Sequence, residues 1–104
     1  MTDKARAAAV AAAAINHNVD AGRFEATIDG LTSHASYQHA RGGEIVFDHT
    51  FVQPDHRGRG LAGRLVRAGL DHARAQGLAV VPQCPYVARW IQRHPEYRDL
   101  VAQR

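Results

Sequence analysis

The sequence predicts a single α/β (α+β) domain with a mixed central sheet, in which antiparallel N-terminal strands precede a β-α-β unit with a parallel pair of strands. Two main helices complete the predicted fold. Three observations carry it: strand-like alternation with hairpin turns, a following stretch of helical apolar spacing, and a short apolar strand directly after it. The 104 residues suit one small domain, and 19 of them are alanine, so we expect a thin core under few helices.

The first 14 residues form an alanine-rich leader, for which we expect a weak helix or a flexible, frayed extension. A single domain then covers residues 15–104. A basic start and small residues resemble a secretory signal, but alanine is barely apolar and Asp3 lies in the charged region. No apolar run approaches the ~20 residues needed to cross a bilayer. We therefore expect a cytoplasmic protein without a membrane partner.

Two hairpins are predicted before the main helix. Residues 23–29 alternate between apolar and polar side chains, which is typical of a half-buried strand. Asp29-Gly30 is a strong hairpin-turn signal, and residues 31–39 supply a second strand. After a glycine-rich turn, residues 44–52 are the most hydrophobic stretch, and the apolar residues on both of its faces indicate a central strand.

Helical spacing follows Pro54 and covers residues 58–76, and Gly77 is a natural C-terminal cap. The predicted buried face consists of Leu61, Leu65, Val66, Leu70 and Ala73. Residues 78–82 then form a short apolar strand, which we expect to lie parallel to the central strand through a right-handed crossover. A second short helix is predicted over residues 86–93, with Val87, Trp90 and Ile91 facing inward.

The net charge of +3 lies within one segment. Residues 55–76 hold five arginines against two aspartates, and the other basic and acidic residues cancel. A basic excess indicates nucleic acid, an acidic membrane surface or one bound anion, and this concentration favours a single anion site. One cysteine excludes an internal disulfide, and neither zinc-finger spacing nor a helical histidine pair is present, so no metal is predicted.

The junction between the central strand and the main helix carries the strongest functional signal. Its residues are Arg57, Gly58, Arg59, Gly60, Leu61, Ala62 and Gly63, which we call the cradle. Glycines let the backbone approach a ligand closely, and the first N–H groups of a helix point outward with the positive end of its dipole. Two arginines add charge, so the cradle is predicted to bind phosphate. The alternative is a glycine-rich turn with solvated arginines.

The cradle also matches the pattern R-x-x-G-x-A, read as Arg57, Gly60 and Ala62. This is the pyrophosphate-binding signature of the GNAT acyltransferase superfamily. Four ordered motifs resemble those of a small GNAT-like family of very short, stand-alone N-acetyltransferase domains, and the resemblance runs from about residue 24 to residue 101. The motifs are His49-Thr50-Phe51-Val52-x-Pro54, Arg57-Gly58-x-Gly60, Val81-Pro82-x-Cys84-Pro85-Tyr86-Val87 and Arg93-His94-Pro95-Glu96-Tyr97.

The resemblance implies binding of acetyl-CoA, with the pantetheine arm beside the strand that ends at Val52. It also implies a cysteine near the thioester, here Cys84. At the position of Phe51, family members often carry an acidic residue and sometimes an aromatic one. This chain has the aromatic residue, so no carboxylate base comes from that position. The backbone amide of Val52 would donate to the thioester carbonyl.

Cys84 and His49 are the predicted catalytic residues. Cys84 lies just before a helix, whose dipole favours the thiolate, and would act as a nucleophile or as a proton donor to the leaving thiolate. The alternative for Cys84 is a small buried hydrophobe, and Tyr86 is a competing donor that is more often an interfacial aromatic. His49 is placed on the face of Ile45, Phe47 and Phe51 as general base, against the alternative of a hydrogen-bonded core histidine.

These features predict an acetyl-CoA-dependent N-acetyltransferase that moves an acetyl group to an amine acceptor, a protein or a small molecule, directly or through Cys84. The alternative is a non-catalytic acyl-CoA-binding module, because the chain lacks the C-terminal strands that complete the acceptor site in larger GNAT proteins. A nucleic-acid partner is disfavoured, since only two helical arginines share a face and no stacking aromatics lie beside them. His34, His39 and His56 are less specific candidates for a catalytic base.

Overall fold

Five strands form one sheet in the order in which they occur along the chain, and a computed structural model describes residues 2–103. The strands are β1 (Asn16–Asn18), β2 (Arg23–Ile28), β3 (Leu31–Ala40), β4 (Glu44–Phe51) and β5 (Ala79–Pro82). The helices are α1 (Asp3–Ala12), α2 (Leu61–Ala75) and α3 (Pro85–Arg93), with short 3₁₀ turns at Pro54–His56 and Pro95–Leu100. Strands β1 to β4 are antiparallel and β5 is parallel to β4, so the predicted mixed sheet with a β-α-β unit is confirmed.

The turn between β2 and β3 follows from its two residues. Asp29 and Gly30 have φ angles of 51° and 77°, the left-handed conformation that a two-residue hairpin turn of type I′ requires. The turn fixes the register, so that Ile28 pairs with Leu31 and Phe24 pairs with Ala35. The residues with inward side chains on β2 therefore line up with those on β3.

The core lies between the helices and one face of the sheet. Phe24, Ala35, Ile45 and Phe47 from the strands are buried, each at most 4% exposed. The five predicted apolar residues of α2 are each at most 1% exposed, which confirms its buried face. Within the described residues 2–103, the strand side chains on the opposite face of the sheet are half-buried or exposed. We call this face the open face.

The end of α2 is a Schellman motif built on Gly77, which has a φ of 67°. Its N–H donates to the carbonyl of Arg74 (3.2 Å), and that of Leu78 donates to the carbonyl of Ala73 (2.9 Å). These bonds occupy carbonyls that would otherwise lack partners, and they turn the chain directly into β5. The predicted cap at Gly77 is confirmed.

At Gly69, α2 lies directly against the Phe47 ring of the sheet. A Cβ built on Gly69 would lie 2.6 Å from Cε1 of Phe47. We expect Gly69→Ala to lower the free energy of unfolding by about 1–2 kcal/mol, because the overpacking penalty exceeds the gain in helix propensity. Urea unfolding measures this change. Gly63→Ala, whose Cβ would meet Nε1 of Trp90 at 3.1 Å, should cost less; a Gly69→Ala protein more stable than the wild type would contradict the prediction.

The alanine-rich leader, expected as a weak helix or frayed extension, forms α1. Its Val10 is completely buried against the core. Two nitrogens of the Arg64 guanidinium donate to the carbonyls of Val10 (2.8 Å) and Ala13 (2.6 Å). Arg64 thereby binds the C-terminal end of α1, where the carbonyl of Val10 also accepts from the N–H of Ala13 (3.2 Å). The flexibility of the leader stays a prediction.

A β-bulge in β4 changes the predicted position of His49. Ser36 pairs with His49 and Tyr37 pairs with Phe47, so Asp48 is an extra residue in β4. The extra residue shifts by one the alternation of side chains between the two faces of the sheet. His49 therefore lies opposite Ser36 on the open face and not with Phe47 on the core face. The predicted placement of His49 with Ile45 and Phe47 is therefore wrong. Phe51, paired with His34, also lies on the open face.

Candidate functional site

The parallel strands β4 and β5 separate near the middle of β4. Their pairing ends at Phe47 and Pro82, while β4 continues for four more residues. After Pro82 the chain turns, the N–H of Cys84 donates to the carbonyl of Phe47 (2.9 Å), and α3 begins. This divergence leaves a gap between the end of β4 and the start of α3, which we call the strand gap.

The cradle opens at the N-terminal end of α2. Gly58 and Gly60 have φ angles of 74° and 83°, and a Cβ on either glycine would meet no atom within 4 Å. Gly60 is the N-cap and supplies no side-chain hydrogen bond. The N–H of Arg64 donates to the carbonyl of Gly60 (3.2 Å), so the three preceding amides have no partner within the helix. This is the geometry of a backbone anion site, with free space in front of it.

A cavity of about 270 Å³ joins the cradle to the end of β4 and the start of α3. Its walls are Val52, His56, Arg57, Gly58, Gly60, Leu61, Ala62 and Tyr86. The structure therefore places the predicted cofactor-binding residues Val52, Arg57, Gly58 and Gly60 around one space. A larger cleft of about 440 Å³ lies at the other end of α2, where no cysteine, histidine or open cradle lines it.

The two arginines of the cradle already have partners in the protein. Nε of Arg57 donates to the carbonyl of Val52 (2.8 Å), and its guanidinium lies 5.9 Å from the centre of the Phe51 ring. Arg59 forms an ion pair with Asp3 of α1. The groups that the cradle leaves open to a ligand are therefore its backbone N–H groups, with the arginines as nearby positive charge.

The remaining arginines of the basic segment are used in packing. Arg67 lies over the Trp90 ring at 5.2 Å and donates to the hydroxyl of Tyr97 (3.1 Å). Arg74 pairs with Asp99 at 2.9 Å. The charges of Arg67 and Arg74 thus lie against α3 and the C-terminal turn, and that of Arg64 lies against α1.

Cys84 is buried in the strand gap, 6% exposed, at the N-cap of α3. Its Sγ lies 3.7 Å from Oγ1 of Thr50 on β4. It does not line the cavity, whereas Tyr86, two residues later, does. Burial raises the pKa of Tyr86 more than the nearby Arg93 and Arg89 lower it, so the phenol stays protonated at neutral pH.

His49 is exposed on the open face, and its ring lies 5.9 Å from that of His34. The ring of His34 is also 5.9 Å from Phe51. Burial lowers the pKa of His34, with further lowering from the charges of Arg23 and His49, so its imidazole is neutral at pH 7. The structure does not bring His49 and Cys84 together, because they lie on opposite faces of β4.

Gly63 has a packing role that the sequence did not reveal. A Cβ at this position would lie 3.1 Å from Nε1 of Trp90 and 3.8 Å from the hydroxyl of Tyr86. A side chain there would push α3 away from the first turn of α2. The lack of a side chain at Gly63 therefore lets the Trp90 ring of α3 pack directly against the first turn of α2.

Sequence reasoning gave little weight to His56, which lies within the wall of the cavity. Its side chain is 3% exposed, and its Nδ1 has no hydrogen-bond partner within residues 2–103. The available signal was its position directly before Arg57-Gly58. Within the same part of the chain, no group of three histidine, cysteine, aspartate or glutamate residues is arranged to hold a metal ion. No helix there combines the length and apolar surface of a bilayer span.

Comparison with known proteins gives a family match and likenesses to solved structures. Residues 23–100, about three-quarters of the chain, match the model of a family described as GCN5-related N-acetyl-transferase. The solution NMR structure of a GCN5-like protein from Staphylococcus aureus has a TM-score of 0.70 to this chain. The two sequences are 22% identical, and the match covers 88% of this chain and 89% of that one. The likeness supports the fold, and the residues matched by the family model include β2 to β5 and the cradle.

Proposed function

The chain belongs to the GCN5-related N-acetyltransferase family, and from this we propose that it transfers an acetyl group from acetyl-CoA to an amine acceptor. The observation that carries the proposal is the open cradle at the start of α2 and the cavity that leads from it toward the strand gap. A ligand with an anionic group at one end and an extended arm fits this shape. Coenzyme A has both features.

The residues fit the coenzyme through backbone more than through side chains. Free amides of the first turn of α2 would bind the diphosphate, and the absence of side chains at Gly58 and Gly60 leaves room for it. The arm would run along the cavity toward Val52, whose amide would donate to the acyl carbonyl. Acetyl-CoA supplies an activated thioester, and the protein positions it.

Proton transfer is proposed to use both faces of β4. His49, on the open face, would accept the proton of an amine that approaches from that side. Tyr86 and Cys84, on the other side, would supply a proton to the departing thiolate. The two tasks need different groups, since the attacking amine loses a proton and the departing thiolate gains one. The acceptor is a protein or a small molecule, and the lone buried thiol is compatible with a reducing cytoplasm.

Two routes are open for Cys84. In direct transfer, the amine nitrogen bonds to the acyl carbon while the bond from that carbon to the coenzyme sulfur breaks. In the covalent route, Sγ of Cys84 gives up its proton and bonds to the acyl carbon, while the coenzyme thiolate leaves and takes a proton. The amine nitrogen then displaces Sγ from the acyl carbon, and the proton that the amine loses returns the sulfur to a thiol. The contact between Sγ and the Thr50 hydroxyl supports a polar setting for this sulfur.

Cys84→Ala tests the function and the route together. We expect the rate of acetyl transfer to a panel of amines, measured as release of free thiol, to fall about 100-fold. The reason is that the variant loses a nucleophile or a proton donor. Intact mass after incubation with acetyl-CoA separates the two roles. An acetyl adduct present in the wild type and absent from Cys84→Ala supports the covalent route; lowered turnover without an adduct supports proton donation. Undiminished turnover would remove Cys84 from the chemistry, and the urea midpoint controls for folding.

A non-catalytic acyl-CoA-binding module is the second candidate, and one observation favours it. His49 is exposed and lies across β4 from Cys84, so no compact acid–base pair is already assembled. Binding of CoA without release of thiol across a broad amine panel would support this candidate. Turnover with any amine of the panel would exclude it.

A further inference from the structure

The imidazole of His56 is the least satisfied polar side chain in the wall of the cavity. It is 3% exposed, and its Nδ1 is buried without a hydrogen-bond partner in residues 2–103. Two other buried nitrogens share this condition, Nε of Arg23 and Nε of Arg59. Both arginines, however, pair through another nitrogen, with Glu25 and Asp3 respectively.

A buried nitrogen without a partner destabilises the folded protein, because it has lost its hydrogen bonds to water. Most buried polar groups in proteins are hydrogen-bonded, so an exception of this kind calls for a ligand or another explanation. His56 ends the 3₁₀ turn that joins β4 to the cradle. It lines the same cavity as Gly58 and Gly60, where the positive end of α2 attracts an anion.

We propose that His56 is a binding residue whose Nδ1–H donates a hydrogen bond to the diphosphate of the coenzyme. This inference rests on the proposed binding of the coenzyme. In it, the imidazole of His56 is a side-chain hydrogen-bond donor that acts beside the backbone N–H groups of the cradle. A neutral imidazole carries one N–H and one acceptor nitrogen, and an anion in front of Nδ1 favours the tautomer with the proton there. The group that has no partner in the protein alone gains one when the ligand binds.

The test compares His56→Leu with His56→Asn by calorimetric titration with CoA and with ADP. Leucine fills the space but deletes the donor, whereas the asparagine amide places an N–H close to the position of Nδ1. We expect His56→Leu to weaken both ligands about tenfold, the loss of one hydrogen bond to a charged group, and His56→Asn to restore most of it. Equal affinity in His56→Leu and the wild type would overturn the proposal. Weakening of CoA without weakening of ADP would overturn the assignment to the diphosphate.

Stability distinguishes a ligand contact from a structural one. We expect His56→Leu to unfold at the same temperature as the wild type or higher, since the substitution removes a buried group without a partner. The matched control is His17→Leu, because Nε2 of His17 is bonded to the hydroxyl of Tyr37 at 2.6 Å and its ring stacks on Phe24 at 4.1 Å. That variant should unfold at a lower temperature and bind CoA normally. A large loss of stability in His56→Leu would make His56 structural and overturn the proposal, whereas a wild type that binds no CoA would instead refute the proposed function.

Discussion

Gly60→Asp is expected to lower the affinity for CoA at least about 100-fold while the protein still folds. Gly60 is the N-cap of α2, and open space lies where its side chain would be. An aspartate there directs a carboxylate toward the free amides of the first turn, where anions are stabilised. The substitution therefore supplies an internal anion that competes with the diphosphate and repels it.

Two matched variants separate charge from backbone strain. Gly42→Asp makes the same chemical change at a φ of 77° with no atom within 4 Å of its Cβ, but in the turn at the opposite end of β4. It should bind CoA as the wild type does. Gly60→Ala imposes the strain of a positive φ without the charge, so its affinity should lie between the two.

Calorimetric titration with CoA measures the affinities, and urea unfolding measures the stability of each variant. The cradle would be misassigned if Gly60→Asp bound CoA with wild-type affinity while remaining folded. A loss of affinity in Gly42→Asp as large as in Gly60→Asp would show that net charge, and not position, governs binding.

The sequence predicted the elements whose patterns are local. Alternation gave β2, the Asp29-Gly30 pair gave the hairpin, and the apolar spacing of α2 matched its buried face. The strand β1 was missed because its three residues are polar and too few to show a period. The strand β1 forms by pairing with β2, and no pattern within its own three residues predicts that pairing.

The site was predictable where backbone geometry follows from residue type. Glycines before an amphipathic helix indicated the cradle, and Gly58 and Gly60 have the positive φ angles that only glycine adopts readily. The face of His49 was not predictable. Apolar residues occupy both odd and even positions of the stretch 45–52, so the sequence fits β4 with or without a bulge, and only the pairing with β3 decides which.

The burial of His56 could not be predicted from the sequence either. It depends on how the 3₁₀ turn packs, which the turn's own sequence does not specify. The docking of α1 depends on Val10, on the ion pair of Asp3 with Arg59, and on Arg64, which lies 54 residues beyond Val10. A pattern of small residues in the leader cannot reveal a partner at that separation.

Trp90→Ala is expected to lower the free energy of unfolding by about 3–5 kcal/mol, the cost of truncating a buried aromatic ring. The ring is 7% exposed and stacks on His94 at a centroid distance of 3.7 Å. Arg67 lies over it at 5.2 Å, and Tyr97 contacts it at 5.3 Å. Truncation therefore opens a cavity and removes the surface that holds α3, α2 and the C-terminal turn together.

A loss of this size is a large part of the total stability of a small domain, about 5–15 kcal/mol. Urea unfolding followed by circular dichroism measures it, since the variant has no tryptophan fluorescence. Trp90→Phe, which keeps a ring against His94, should lose less than half as much. Val19→Ala, at a side chain that is 68% exposed, should change little and serves as the control. A Trp90→Ala protein within about 1 kcal/mol of the wild type would mean that the ring does not hold α3 against α2, and Tyr86 would then need another anchor beside the cradle.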